Sequence, residues 1–285
     1  MSSFRTWRKN VKTSANIAFD SLNDSPMRAY RLKSFGSLDG LEVAEQPIPS
    51  PGAGEVLVRV RASSFNFRDL LIINGVYPIP VLPGRVPLSD AAGEIVAVGA
   101  GVARFKVGDR VINSFFPNWF GGSFNQMPDQ YVADRDGWLT EYKVVSAEAL
   151  VSMPEHLTFE EAATLPCAAV TAWSALAGTG SGDTVLTEGT GGVSLKTVAY
   201  GGQVSLVGVL GGAAGGLDFM TMFMSQATFR PIAIGSRRDL EDVGRVMKQH
   251  DVRPVIDSAF AFDGAAAAFQ HFAERQLFGK VVIRH

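Results

Sequence analysis

The sequence predicts an α/β protein in which a partly open β-barrel is followed by a parallel sheet with helices packed on it. Its 285 residues are enough for about two domains. Before residue 153 the chain contains short strand-like runs separated by turn residues, a spacing that is typical of a barrel. After Pro166 strand patterns alternate with helix patterns, which is typical of a doubly wound parallel sheet.

The predicted barrel strands are short, and each is bounded by turn residues. Val56, Val58 and Val60 alternate with polar neighbours, which indicates a strand with one buried face. The proline-rich stretch 47–52 cannot join a sheet ladder and is predicted to be a loop. The predicted strands are residues 28–32, 41–45, 55–62, 92–98, 110–113 and 139–145.

The second half of the chain begins with a capped helix. Thr158 is followed three residues later by Glu161, so the capping-box pattern predicts a helix over 158–163. The segment 219–224, which contains three methionines, is predicted to be apolar core, with the lining of a substrate channel or a subunit contact as the alternatives. The remaining predictions are helices 171–177, 238–249 and 264–274, and strands 184–187, 204–209, 231–235, 254–258 and 280–284.

Composition excludes several classes of function. Basic residues number 26 and acidic residues 28, without a long run of either sign, so no nucleic-acid partner is expected. No apolar run reaches the roughly 18 residues of a membrane span, so no membrane partner is expected. One cysteine cannot close an intrachain disulfide and, beside four histidines, leaves little for a metal site.

Residues 1–26 are basic and rich in Ser and Thr, and they differ in texture from the rest of the chain. Arg5, Arg8, Lys9 and Lys12 precede the first acid, Asp20. A disordered tail, a misplaced start codon and a mitochondrial transit peptide all fit this composition. The expected location is cytoplasmic, with a mitochondrial location as the alternative.

A glycine turn follows the apolar run 185–187. It reads Gly-Thr-Gly-Gly-Val-Ser over residues 189–194, in the position where a dinucleotide fold places its glycine turn. Glycines allow backbone N–H groups to approach a pyrophosphate at a helix N-terminus. The prediction is that Gly189, Gly191 and Gly192 bind the cofactor, although an ordinary glycine turn has the same composition.

Several phrases, in order along the chain, resemble the medium-chain dehydrogenase/reductase superfamily, and most closely its zinc-type alcohol dehydrogenase-like and quinone oxidoreductase branch. The resemblance covers nearly everything from Met27 to His285. The phrases are SFNFRD at 64–69, SDAAGE at 89–94, VGDRV at 107–111, LPCA at 165–168, TAW at 171–173 and FGKVV at 278–282.

This resemblance implies a fold and an activity. It implies a GroES-like barrel domain followed by a Rossmann-type domain, which is shortened here. It also implies a small-molecule substrate and an NAD(P)-dependent transfer of hydride to or from a carbonyl, a quinone or an activated alkene. NADP is expected ahead of NAD by family habit. The implied domains are an N-terminal extension over 1–26, the barrel over 27–153, the dinucleotide-binding domain over 154–252 and a return to the barrel over 253–285.

The resemblance also bears on zinc. In zinc-dependent relatives two Cys and one His hold the catalytic metal, and the positions that match here are Asn66, Ser89 and Cys167. Only one thiol remains, and the four-cysteine structural lobe is absent from the sequence. A protein without zinc is therefore expected, with Cys167 as a buried small side chain.

Without zinc, hydrogen bonds and a proton donor must polarise the substrate. By resemblance Asn66 and Tyr77 line the nicotinamide pocket, and both are the predicted catalytic residues. A cap for a loop is the alternative role of Asn66, and packing at the pocket rim is that of Tyr77. Thr171 resembles the family threonine near the nicotinamide, and Lys280 belongs to the closing Gly-Lys phrase; both are expected at the cofactor.

The resemblance breaks after the glycine turn. Ser194 is followed at once by a phrase, 195–202, that matches the family only after further elements, and the segment that reads the adenine ribose is missing. The loss is on the order of two to three βαβ units. The parallel sheet is expected to expose apolar surface, to be less stable or to hide that face in a homo-oligomer. Two alternatives arise: a non-catalytic remnant that acts as a binding module, or a sequence that lacks a segment at Ser194/Leu195.

Overall fold

The structure is a computed structural model that describes residues 26–185, 198–207, 219–274 and 276–285. The strands are β1 (Pro26–Leu32), β2 (Leu41–Pro47), β3 (Glu55–Ser64), β4 (Asp90–Val98), β5 (Arg110–Asn113), β6 (Tyr142–Ser146), β7 (Leu150–Ser152), β8 (Gln203–Leu206), β9 (Thr228–Pro231), β10 (Ile256–Ala261) and β11 (Lys280–Arg284). The α-helices are α1 (Phe67–Ile73), α2 (Phe159–Ala162), α3 (Val170–Ala175), α4 (Phe219–Ser225), α5 (Arg237–His250) and α6 (Ala265–Ala273), and a π-helical turn spans Leu165–Ala169.

A seven-stranded sheet forms the barrel. Its strand order is β10, β11, β3, β4, β5 and β7, and β6 also pairs with β3. Strand β3 is antiparallel to β4, β6 and β11, with register shifts against β4 that curve the sheet. The interior is filled by side chains that include Phe65, Trp138 and Leu139, each 1% exposed or less. Val56, Val58 and Val60 belong to this core as predicted, but Leu57 between them is also fully buried, in a second cluster with Met27 and Ile48.

The C-terminal strands join this barrel. Strand β10 runs parallel to β11, and β11 pairs with β3 through Val282 and Ser64. Lys280, the first residue of β11, is thereby brought to the end of β3, where α1 begins. This pairing connects two chain segments that are more than 200 residues apart in sequence, and it builds one wall of the candidate active site.

Helix α5 packs against β7, the π-helical turn and α3. Ser236 caps it, with its backbone N–H donating to Asp239 Oδ2 at 2.7 Å, and its buried residues Leu240, Val243 and Met247 contact the cluster that contains Val151 and Leu165. The capping box of α2 also forms as predicted, with the Thr158 N–H donating to Glu161 at 2.7 Å.

Three predictions for the second half are wrong. Strand β9 lies at Thr228–Pro231 instead of 231–235, because Ile234 has φ 60° and cannot continue an extended strand. Thr184 and Val185 are outside any strand. The segment 219–224 is an exposed helix rather than core, since Phe219, Met220, Phe223 and Met224 are 57–73% exposed. In the part of the chain that the structure describes, no helix has the length and hydropathy needed to cross a membrane.

Candidate active site

Asn66 lies where β3 ends and α1 begins. It is the N-cap residue of α1, and its backbone N–H donates to Asp69 Oδ2 at 2.7 Å. Asn is favoured at an N-cap because its side-chain oxygen can accept a helix N–H, but here the Asp69 N–H donates to the Asn66 backbone oxygen at 2.9 Å. The Asn66 side chain is 8% exposed and points away from this cap toward β4 and β11. The backbone of Asn66 therefore caps α1, whereas its side-chain amide makes hydrogen bonds outside the cap.

A continuous hydrogen-bond network contains the Asn66 amide. The Lys280 ammonium donates to Asn66 Oδ1 at 2.6 Å and also to the backbone oxygen of Phe65. Asn66 Nδ2 donates to Ser89 Oγ at 3.4 Å, and Ser89 Oγ donates to Asp90 Oδ1 at 3.1 Å. The backbone N–H of Cys167 donates to Asp90 Oδ2 at 3.1 Å. We name these five residues, Asn66, Lys280, Ser89, Asp90 and Cys167, the Asn66 network.

Sheet register explains why the network assembles. Ser64 pairs with Asp90 of β4 on one side and with Val282 of β11 on the other, so three strands place their ends at one edge of the barrel. Cys167 arrives on the π-helical turn, where the backbone departs from the regular helical ladder. Such single π turns occur frequently at functional sites.

Burial perturbs the acids around the network. Asp69 is 3% exposed, and loss of solvation raises its pKa from 3.8 to about 7, despite the opposing charges of Arg68 and Lys280. Burial also raises the pKa of Asp90, although Lys280 and the hydrogen bonds from its neighbours oppose this change. Burial, followed by the charge of Asp90, raises the pKa of the half-buried Cys167 thiol to about 12.

Tyr77 belongs to a second group of residues, centred on Arg68. The Tyr77 hydroxyl donates to Gln130 Oε1 at 3.0 Å and accepts a hydrogen bond from Arg68 Nε at 3.3 Å. The Arg68 guanidinium also donates to the backbone oxygen of Tyr131 at 3.0 Å and lies over the rings of Tyr77 and Phe115. In this structure the Tyr77 hydroxyl is hydrogen bonded within its own group and not to the Asn66 network.

An aromatic cluster extends from this second group toward the surface. The Phe115 and Phe116 rings lie 4.9 Å apart, and the Trp119 and Phe124 rings 5.0 Å apart. Phe116 joins the two pairs, with its ring centroid 5.8 Å from that of Trp119. Phe115 and Phe116 are buried, whereas Phe124 is 38% exposed. The cluster is therefore an apolar patch that continues from Arg68 to the protein surface.

The predicted cofactor residues divide into two groups. Thr171 lies on α3, and its hydroxyl donates to the backbone oxygen of Cys167 at 2.7 Å, so it adjoins the Asn66 network. Ala168 is exposed, and Cys167 and Thr171 are half-buried, so three small side chains lie beside the network. Gly189, Gly191 and Gly192 lie outside the described residues, so the pyrophosphate contact stays a prediction.

The donors at the zinc-matching positions do not fit a zinc ion. Asn66 Oδ1 is bound by a cation, the Lys280 ammonium, and Ser89 Oγ is hydrogen bonded to a carboxylate. Cys167 supplies the one sulfur, and zinc requires it as a thiolate, which its raised pKa opposes. Among the described residues, no group of three or more His, Cys, Asp or Glu side chains is arranged to hold a metal ion.

Sequence reasoning brought Asn66, Lys280 and Thr171 to the site but missed some of their partners. Asp90 and Gln130 were not predicted to have a role. Ser89 and Asp90 lie in one of the family-like phrases, which is a signal that could have found them. Gln130 lies in an irregular loop, and nothing in its sequence surroundings indicates its contacts with Arg68 and Tyr77.

A barrel that bears this polar network, followed by a parallel α/β unit, defines an oxidoreductase of the alcohol dehydrogenase-like class. Two family models match the chain: the alcohol dehydrogenase GroES-like domain over residues 52–155 and the zinc-binding dehydrogenase domain over residues 175–283. The chain belongs to the medium-chain dehydrogenase/reductase superfamily.

Individual relatives support this assignment. A zinc-type alcohol dehydrogenase-like protein of Schizosaccharomyces pombe is 30% identical over 335 residues, which cover 88% of this chain and 96% of the relative. A chloroplastic quinone oxidoreductase of Triphysaria versicolor is 38% identical over 154 residues, 53% of this chain and 42% of that protein. The crystal structure of a putative alcohol dehydrogenase from Sinorhizobium meliloti matches with a TM-score of 0.82 at 28% identity, covering 92% of this chain and 99% of that one.

The yeast alignment also measures what this chain lacks. It extends over 335 positions, of which 88% of the 285 residues, or about 251, supply one partner. About 84 positions of the alignment, the difference between 335 and 251, therefore hold no residue of this chain. This number agrees with the loss of two to three βαβ units of about 30 residues each that the sequence predicted.

Proposed function

We propose that this chain is an NAD(P)-dependent oxidoreductase that transfers a hydride between a nicotinamide and a carbonyl, a quinone or an activated alkene, without catalytic zinc. NADP is the expected cofactor ahead of NAD. The observation that carries the proposal is the Asn66 network. It holds a nearly buried amide, with its oxygen occupied by Lys280, beside small residues that fit a nicotinamide.

Asn66 is the group that would meet the developing negative charge. Reduced NAD(P), when bound, supplies the hydride, and the substrate oxygen then becomes more negative. Asn66 Nδ2 carries two N–H bonds, and in this structure its acceptors are Ser89 Oγ and the Asp90 carboxylate. Donation to the substrate oxygen therefore requires that this oxygen replace one of these acceptors. A preorganised donor of this kind contributes about 3 kcal/mol to transition-state stabilisation in other enzymes.

Tyr77 is the proposed proton donor. Its hydroxyl proton is directed at Gln130 Oε1, so donation to a substrate requires that the substrate oxygen replace the Gln130 oxygen. Tyr77→Phe separates this role from packing at the pocket rim. The variant should lose activity at least tenfold if the hydroxyl delivers the proton, and should retain activity if only the ring matters.

The proposal of a zinc-free reaction rests on the chemistry of the donors. A cation already binds the Asn66 oxygen, and the one thiol has a pKa of about 12. Added zinc should therefore leave turnover unchanged, and a chelator such as EDTA should not abolish it. Zinc-dependent activity, with one equivalent of zinc retained after gel filtration, would overturn this part of the proposal.

The aromatic cluster supports apolar, planar substrates. Phe115 and Phe116 are buried next to Arg68, whereas Trp119 and Phe124 extend the cluster toward solvent. Aromatic rings stack well on quinones and aryl ketones. The quinone oxidoreductase among the relatives agrees with this choice of substrate class.

The test is turnover of NADPH by the purified chain with quinones, enones and aldehydes. Asn66→Ala should lower kcat by roughly 100-fold and change the affinity for NADPH much less. Asn74→Ala is the matched control, because Asn74 lies exposed at the other end of α1. Equal turnover by the wild type and Asn66→Ala would remove Asn66 from the reaction. A folded wild type that turns over none of these substrates would favour a non-catalytic binding module.

A further inference from the structure

We infer that Lys280 is a positioning residue, which fixes the orientation of the Asn66 amide and polarises its N–H bonds toward the substrate. The inference rests on the proposed function, in which Asn66 donates a hydrogen bond to the substrate oxygen. In this structure the Lys280 ammonium contacts the Asn66 amide oxygen, while the expected contact of Lys280 with the cofactor stays a prediction.

The Lys280 ammonium is held between two oxygens. It donates to Asn66 Oδ1 at 2.6 Å and to the backbone oxygen of Phe65. If the Asn66 amide rotated by half a turn, its NH₂ group would face the ammonium, and two donors would lie in contact without an acceptor. Lys280 therefore selects the orientation in which Asn66 Nδ2 faces Ser89 and Asp90.

The other end of the network selects the same orientation. Ser89 and Asp90 are fully buried, and Ser89 Oγ uses its proton on Asp90 Oδ1, so it can only accept from Asn66. The hydrogen bonds thus all run in one direction, from the Lys280 cation through the amide and the hydroxyl to the Asp90 carboxyl. Hydrogen bonds in such a chain strengthen one another, by roughly 10–30% per bond.

The backbone around Lys280 supports a rigid position. The Lys280 N–H donates to the Val255 oxygen at 3.0 Å, and Lys280 begins strand β11. Gly279 has φ 116°, and a Cβ atom there would lie 2.5 Å from the Val255 oxygen. The chain therefore enters β11 by a turn that only glycine fits, and the lysine side chain starts from a fixed point on the barrel.

The consequence is that the positive charge acts on the substrate through Asn66. A cation on the amide oxygen draws electron density from the amide nitrogen, which makes both N–H bonds of Asn66 stronger donors. Lys280→Met should therefore lower kcat by about tenfold or more, with less than a threefold change in the KM for NADPH. Lys280→Arg should retain more activity than Lys280→Met, because it keeps the charge and the donor.

The decisive experiment is a double-mutant cycle with wild type, Asn66→Ala, Lys280→Met and the double variant, measured as kcat at saturating NADPH. Lys280→Met should cost about tenfold or more when Asn66 is present and less than about twofold when Asn66 is already alanine. Equal losses in both backgrounds would overturn the inference, since Lys280 would then act directly or through general stability. Unfolding midpoints of all four proteins show whether each variant is folded.

A second readout does not depend on turnover. In protein labelled with ¹⁵N-asparagine, the side-chain NH₂ resonances of Asn66, assigned by their loss in Asn66→Ala, should shift in Lys280→Met. Those of Asn113, which donates to the Ser89 and Ser114 backbone oxygens, are the internal control. Unshifted Asn66 resonances would refute the positioning role. A wild type without turnover, combined with the expected shift, would instead refute the proposed function and leave the contact between Lys280 and Asn66 established.

Discussion

The buried carboxyl of Asp69 should make the stability of this protein depend on pH in an unusual direction. Asp69 is 3% exposed, its Oδ2 accepts the Asn66 N–H, and its Oδ1 has no hydrogen-bond partner among the described residues. Loss of solvation raises its pKa from 3.8 to about 7. Between pH 4 and pH 7 the folded protein therefore holds a proton that the unfolded chain has released.

This difference in bound protons sets the direction and the size of the change in the free energy of unfolding with pH. Because the folded state binds more protons in that window, the free energy of unfolding falls as pH rises through it. About three pH units at about 1.4 kcal/mol each set an upper value of about 4 kcal/mol. Asp69→Asn keeps an oxygen that can accept the Asn66 N–H but removes the titration. The variant should gain stability relative to wild type, by up to that amount, between pH 4 and pH 7.5.

Urea unfolding, followed by circular dichroism at intervals between pH 4 and pH 7.5, measures this gain. His285 acts in the opposite direction, since burial lowers its pKa to about 3 and its contribution grows as pH rises to about 6.5, but it is present in both proteins and cancels in the difference. Asp109→Asn is the control, because Asp109 also accepts a backbone N–H, from Lys106, on the surface. A stability difference between wild type and Asp69→Asn that stays constant with pH would refute the argument.

Three further outcomes are expected. Arg68→Met should lower the free energy of unfolding by about 2–4 kcal/mol in urea titrations, because Arg68 is 8% exposed and its loss leaves buried hydrogen-bond acceptors unpaired. A loss below about 0.5 kcal/mol would contradict this prediction. Gly137→Ala should lower the melting temperature sharply, since a Cβ atom there would lie 2.3–2.5 Å from three backbone oxygens. Gly180→Ala is the control, because a Cβ atom there would meet open space and should change the melting temperature little. Equal melting temperatures of the two variants would contradict the prediction. Cys167, the one cysteine, should react with iodoacetamide at pH 8 about a thousandfold more slowly in the folded chain than in the urea-unfolded chain, because the pKa of its thiol is raised to about 12. Mass spectrometry measures the two rates, and equal rates would contradict the raised pKa.

The barrel could be predicted from sequence because its signals are local. Alternating valines mark β3, and a Gly-Lys phrase marks the start of β11, whose predicted range 280–284 is confirmed. In the second half local signals were less reliable. The apolar run 231–235 resembles a strand, but the positive φ of Ile234 ends it. The apolar segment 219–224 has the composition of a buried segment, but its side chains are not covered by the residues that the structure describes.

The site shows the same division between local and long-range information. The resemblance pointed to Asn66, and its position as a helix cap follows from the residues around it. Its hydrogen bond with Lys280 could not be predicted, because Lys280 is 214 residues away in sequence and reaches Asn66 only through the pairing of β11 with β3. The Tyr77 contacts with Arg68 and Gln130 likewise depend on a loop that has no regular pattern.

The central claim is that this shortened chain still binds a nicotinamide cofactor beside the Asn66 network. The most direct test is a titration of the purified 285-residue chain with NADPH, followed by nicotinamide fluorescence and quenching of tryptophan fluorescence. We expect saturable binding with about one equivalent of NADPH per chain. The same titration with NADH compares the affinities for the two cofactors. A chain that is folded by circular dichroism but binds neither cofactor would contradict the account.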